Sequence, residues 1–156
     1  YFTEMLDPSM NWQGVEEMVK LWDGEFCLKG IMSVEDARKA VDIGCTGIIL
    51  SNHGGRQLDG SRSPFDQLAE IVDAVGDKID VIMDSGVQRG THVIKALSLG
   101  AKAVSGGRYY LFPLAVAGQK GVERSLNLMR EEIIRGMQLM GCKSVDELSS
   151  NNLKFR

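Results

Sequence analysis

The string Ser51-Asn52-His53-Gly54-Gly55-Arg56 places an imidazole and a guanidinium three residues apart, in a stretch where glycines let the backbone turn sharply. Both side chains of such a loop can face one cleft, His53 as a proton acceptor near neutral pH and Arg56 as a planar two-pronged clamp for a carboxylate. The pair suits an anionic acid as substrate. A solitary histidine is more often a packed or solvated side chain, and His92, inside a helical pattern, is read that way; His53, between a strand end and Gly-Gly-Arg, is not.

Two other glycine-rich stretches offer charge to an anion, Asp84-Ser85-Gly86-Val87-Gln88-Arg89-Gly90 and Ser105-Gly106-Gly107-Arg108. Gly86, Gly90 and Gly107 present N–H groups without an obstructing Cβ, Arg89 and Arg108 add two guanidinium groups, and a helix start adds its own positive end. The sum is a cradle for a phosphate-sized anion; the competing reading is a pair of ordinary tight turns with solvated arginines. Lys29 ends an apolar run and is costly to bury unpaired, so it should meet an anion, a polar cofactor or a carboxylate such as Asp84.

The elements that must position these groups follow from the apolar pattern. Helical stretches over about 11–22, 34–43, 64–75 and 90–99 alternate with short apolar runs at 25–29, 46–51, 79–84 and 102–106, and further helix is expected from about 111. A helix ending in glycine, then a buried strand, then a glycine loop occurs twice, about 56 residues apart, with Gly44 and Gly100 as the stops. Ser33 before Glu35 and Asp36, and Ser63 before Pro64, mark helix starts. Alternation of this kind means a parallel sheet with right-handed crossovers, and its ligands bind at the C-terminal strand ends, where Lys29, His53, Asp84 and Arg108 all collect. Four such units are half of a closed eight-stranded barrel, so either the sheet is open and complete or the rest of a barrel is missing.

Composition bounds the partners. The 156 residues are 44% hydrophobic and 25% charged, the balance of one globular domain. Eighteen Lys and Arg against 21 Asp and Glu leave a net charge of −3, which gives nucleic acid or an anionic membrane no overall attraction. No apolar run is long enough to span a membrane and residues 1–4 carry no signal pattern, so a cytoplasmic location is expected. Cys27, Cys45 and Cys142 are far apart with no CxxC, so neither a disulfide nor a metal site is expected and all three read as small core residues. Met32, Met83, Met129, Met137 and Met140 read as core filling.

The segments LKGIMSVEDARKAVDIGCTGIILSNHGGRQLD, DVIMDSGVQRGTHVIKALSLGAKAVSGGRYYLFPLAVAGQKGV and GCKSVDEL resemble the C-terminal half of the FMN-dependent α-hydroxy acid dehydrogenase/oxidase family, over about Trp12 to Leu148. The family includes glycolate oxidase, lactate oxidase, mandelate dehydrogenase and flavocytochrome b2. The resemblance implies an α/β fold, a (β/α)8 TIM barrel of which residues 1–156 supply strands five to eight. It implies FMN as cofactor and oxidation of a small (S)-2-hydroxy acid to the 2-keto acid. His53 would be the base and Arg56 the carboxylate binder, with Lys29 beside the flavin ring. Lys29, Ser51, Asp84, Ser85, Gly86, Gln88, Arg89, Gly107 and Arg108 would form the cofactor site, Asp84 at the ribityl chain and Gly86, Gly107 and Arg108 at the phosphate. The implied partners are the substrate, the N-terminal half of the same barrel and further copies of the protein, in a tetramer by the resemblance.

Two departures stand out. Gln88-Arg89 replaces the family's usual Arg-Arg, and the half that carries the first four strands is absent. Tyr1 is read as the first residue after a break in a mobile loop. The alternative to the enzyme is a half-barrel subunit or maturation module that binds flavin poorly.

Overall fold

The computed structural model describes residues 7–154, so the reading of Tyr1 as a break point lies outside the described residues. Helix ends set the rhythm of the chain. Helix α1 (Trp12–Trp22) is capped by Asn11, whose side chain accepts the Gly14 N–H at 3.0 Å. After β1 (Cys27–Lys29), α2 (Val34–Asp42) starts on the Ser33 hydroxyl, which accepts the Asp36 N–H at 3.1 Å. After β2 (Gly47–Leu50), α3 (Pro64–Val75) starts with Ser63 as cap and proline in its first turn. Then come β3 (Asp80–Met83), α4 (Gly90–Ser98), β4 (Ala103–Val104) and α5 (Arg108–Met140). The two repeated stops close identically: Gly44 (φ 89) and Gly100 (φ 94) are left-handed, and the N–H groups of Cys45 and Ala101 return to the carbonyls of Ala40 and Ala96.

The four strands are parallel and lie in chain order, β1-β2-β3-β4. Leu28 pairs with Ile48 and Ile48 with Val81, while Lys29, Ile49, Ile82 and Ala103 form the adjacent row. Successive residues of a strand point to opposite faces, so these rows belong to different faces. Ile48, Leu50, Val81 and Met83 are buried with Ala37 and Ala40 of α2, Leu68 and Ile71 of α3 and Ala96 of α4. The other face carries no layer among the described residues: Cys27 and Asp80 are exposed, and Ile49 and Ile82 half-exposed. Helices on one side of a sequentially ordered parallel sheet are what a section of a β/α barrel looks like. The accessible surface of 10798 Å² fits this, because a closed monomer of 17.1 kDa would expose roughly 7,700 Å².

Some expectations are corrected. The strands are shorter than the apolar runs, β4 being two residues long, and α5 begins at Arg108 rather than near 111. Cys45 is buried, but Cys27 stands on the uncovered face because it shares the row of Gly47 and Asp80, and Met140 is exposed at the last turn of α5. Helix α5 is also broken: Ala117 and Gly118 leave the helical region, Gly118 at φ 57. Tyr109 donates its hydroxyl to the Ser125 carbonyl at 2.6 Å, across 16 residues that a straight helix would hold about 24 Å apart. The segment 108–116 therefore folds back on 119–140.

Candidate active site

The row of Lys29, Ile49, Ile82 and Ala103 leads into the site. Two residues past Ile49 and Ile82, on the uncovered face, stand Ser51 and Asp84. Ser51 is buried, and its hydroxyl donates to Asp84 Oδ2 at 2.6 Å while accepting from Lys29 Nζ at 3.0 Å and from the His53 N–H at 3.1 Å. One hydroxyl can give one hydrogen bond and take two, so Ser51 is fully engaged. Lys29 Nζ also lies 3.4 Å from Asp84 Oδ2, the ion pair named above as one reading of Lys29. Burial alone would raise the Asp84 pKa. Hydrogen bonds from the Ser51 and Ser105 hydroxyls, the Lys29 charge and the Ser85 N–H outweigh it and hold the carboxyl below its ordinary value.

His53 opens a one-turn 3-10 segment, His53–Gly55, with a left-handed backbone at φ 56. Its ring lies over Gly30, where a Cβ would come 3.3 Å from His53 Cε1. The loop is pinned from three strand ends. Besides the contact from Ser51, the Gly54 N–H reaches the Ser85 hydroxyl at 3.1 Å, and Arg108 Nη2 donates to the Gly54 carbonyl at 2.6 Å. A Cβ on Gly54 would overlap the Arg108 guanidinium, so glycine is required by this approach as well as by φ 68. His53 and Arg56 are both exposed on the same loop and line one cavity.

That cavity is about 1080 Å³ and is also lined by Lys29, Asp84, Ser85, Gly86, Gln88, Gly107 and Arg108. Of the cofactor residues expected from sequence, Ser51 sits behind this wall and acts through Lys29, Asp84 and the His53 backbone. Arg89 is not brought to it. Its Nε is held by both oxygens of Glu132, at 2.8 and 3.1 Å, and Glu132 Oε2 accepts the Gly90 N–H at 2.7 Å. The carboxylate of Glu132, from α5, thus fills the N-terminus of α4 that the sequence offered to an external anion. The Gly90 N–H first, then Arg89, lower the Glu132 pKa. A Cβ at Gly90 would stand 2.7 Å from the Ile133 nitrogen, so this close packing needs the glycine.

The N-terminus of α5 differs. It has no side-chain cap, Gly107 has open space where a Cβ would lie, and Arg108 is its first residue. A helix start leaves N–H groups without partners inside the helix. Of the residues expected at the anion cradle, Gly86, Gly107 and Arg108 line the cavity and Arg89 is paired away from it. His92 keeps a structural role, its Nδ1 accepting the Gln88 N–H at 3.3 Å.

Sequence reasoning missed three parts of the site. Tyr110, Leu111, Phe112 and Pro113 form an apolar wall of the cavity; the sequence marks 111–113 only as a helix start and gives Tyr110 no role. Ser105 lines the cavity and helps to lower the Asp84 pKa, which its place two residues past Ala103 could have signalled. Glu132 carried no local signal. Among the described residues no cluster of His, Cys, Asp and Glu could hold a metal, and no helix is long and apolar enough to cross a membrane.

Comparison with known proteins extends this picture. The family model for FMN-dependent dehydrogenases matches residues 1–155. The chain is 43% identical to the FMN-dependent alpha-hydroxy acid dehydrogenase qulF of Penicillium citrinum, covering 99% of this chain and 38% of that protein. It is also 43% identical to the L-lactate oxidase of a Nostoc species, over 98% of this chain and 42% of the relative. The solved structure of the monotopic membrane protein (S)-mandelate dehydrogenase superposes with a TM-score of 0.94 at 40% identity, over 99% of this chain and 41% of that one. The chain thus spans about two fifths of the length of these relatives, as a partial barrel does.

Proposed function

This chain belongs to the FMN-dependent dehydrogenase family, and from that premise we propose that it carries the catalytic half of a barrel that oxidises a small (S)-2-hydroxy acid to its 2-keto acid. The observation that supports this most is the meeting of His53 and Arg56 with Lys29 and Arg108 in one cavity. The donor set fits FMN. Gly86, Gly107 and Arg108 would hold the phosphate, Asp84 the ribityl hydroxyls and Lys29 the electron-rich edge of the ring. Bound FMN supplies the acceptor for the two electrons that leave the carbinol carbon.

The chain's own residues do the remaining work. Arg56 clamps the substrate carboxylate through two parallel hydrogen bonds, which fixes the carbinol carbon in place. An imidazole nitrogen of His53 takes a proton from the substrate. Lys29 supplies positive charge where negative charge develops, and the Ser51–Asp84 pair holds the ammonium there. The wall from Tyr110 to Pro113 excludes water from one side.

The uncovered sheet face and the edges at β1 and β4 need the barrel's other half, and a homo-oligomer and cytoplasmic residence belong to the same proposal. The test is anaerobic mixing of the completed, FMN-loaded barrel with lactate, glycolate or mandelate. Bleaching of the yellow flavin with release of the keto acid is expected. A barrel that fails to retain FMN would turn the reading to the flavin-poor half-barrel module, and one that retains it unbleached with all three acids would overturn oxidation of these hydroxy acids.

A further inference from the structure

Among the described residues three non-glycine residues have left-handed backbones: Asp23, His53 and Ser85. Asp23 ends α1, a place where this conformation is ordinary. The other two are neighbours in the lining of one cavity. Ser85 has φ 78, a region side chains disfavour and glycine enters freely. Such outliers persist where the surroundings over-determine them.

The surroundings of Ser85 are specific. Its hydroxyl accepts the Gly54 N–H at 3.1 Å, a donor shared with Asn52 Oδ1 of the same loop at 3.1 Å, donates to Asp84 Oδ2 at 3.3 Å and lies 3.4 Å from Ser51 Oγ. The peptide it holds is the one that directly follows His53, itself at φ 56. We propose that Ser85 is a positioning residue for the base: its left-handed backbone aims the hydroxyl at the His53–Gly54 peptide, and that contact sets where the imidazole stands. Ser85 lines the cavity, as expected from sequence, and its hydroxyl is directed at the loop. Arg108 grips the same peptide unit's neighbour, the Gly54 carbonyl, so the loop is held from the ends of both β3 and β4.

The inference rests on His53 being the base, and two substitutions separate it from a merely structural role. Ser85→Gly removes the hydroxyl and relieves the backbone; Ser85→Ala removes the hydroxyl and keeps the strain. In the FMN-loaded barrel the Gly54 amide should exchange with solvent about tenfold faster in both variants, the scale of one lost hydrogen bond. Flavin reduction by the hydroxy acid should slow by about tenfold in both, with FMN occupancy unchanged. Ser85→Gly should nevertheless melt at a higher temperature than Ser85→Ala. A structural residue would show activity following stability, so a glycine variant that reduces flavin at the parent rate overturns the proposal. Unchanged Gly54 exchange, or loss of FMN from both variants, overturns it as well. If the parent protein is bleached by no 2-hydroxy acid, the functional reading fails, while exchange and melting still decide whether Ser85 holds the loop.

Discussion

The segments after β3 and β4 each run through glycine and arginine into a helix, yet one helix start is filled by the protein and the other is left open. At α4, the Glu132 carboxylate takes the Gly90 N–H and the Arg89 guanidinium. At α5, no side chain caps the start, and Arg108 reaches back to the loop that carries His53. The first arrangement is structural, tying α4 to α5. The second leaves donors facing the cavity. A glycine-arginine signal before a helix therefore specifies a site for an anion and leaves open whether the anion is the protein's own.

The largest test of this division uses the two histidines, one on each side of it. His53→Gln should lower flavin reduction by roughly 10²–10⁴-fold, while His92→Gln, at a residue that accepts the Gln88 N–H and does not line the cavity, should stay within about twofold. Rapid-mixing absorbance at the flavin band measures both, and a His92 effect as large as that of His53 would break the division.

The next effect separates the two arginines. Arg108→Ala should weaken FMN binding by about 10–100-fold, as expected for losing charge-assisted hydrogen bonds to a phosphate, while Arg89→Ala should leave it within about threefold. Titration by flavin fluorescence quenching reads this directly. Equal losses would mean that Arg89 leaves Glu132 to join the phosphate.

The smallest effect is a pH dependence at the closed start. The Glu132 pKa is lowered in the folded state, first by the Gly90 N–H and then by Arg89. A group with a depressed folded pKa contributes stability that is complete above its unfolded pKa, about 4.3 for Glu, and vanishes as pH falls through the folded value. Glu132→Gln should therefore melt below the parent at pH 7, and the gap should close in acid. A gap that is constant between pH 7 and pH 3 would show that shape, not charge, closes the α4 start.

Much of the frame could be read along the chain because its signals are local. Gly44 and Gly100 stop helices, Ser33 and Ser63 start them, and the apolar runs between them become strands within a few residues of the expected limits. The clustering of Lys29, His53, Asp84 and Arg108 at one sheet edge follows from the same alternation. What escaped depends on partners distant in sequence. Nothing near Arg89 says that Glu132, 43 residues on, will claim it. The fold-back of α5 hinges on a contact from Tyr109 to Ser125 that no periodicity encodes. Cys27 looked like core because its neighbours are apolar, but strand parity turned it to the face that carries no layer among the described residues.

The strictly sequential order of the sheet bears on how such a chain assembles. Each strand pairs with its predecessor, Cys27 with Gly47, Gly47 with Asp80 and Ile82 with Ala103, so every pairing closes a loop of only about 20–35 residues. No strand has to be inserted between two already joined, and the pairings can form in the order in which the ribosome delivers them. Such a sheet grows at its β4 edge and can be severed between units without unpicking any neighbour. Its topology makes the barrel a polymer of βα units, joinable from pieces, whose speed of assembly is set by nearby contacts and not by the size of the finished ring.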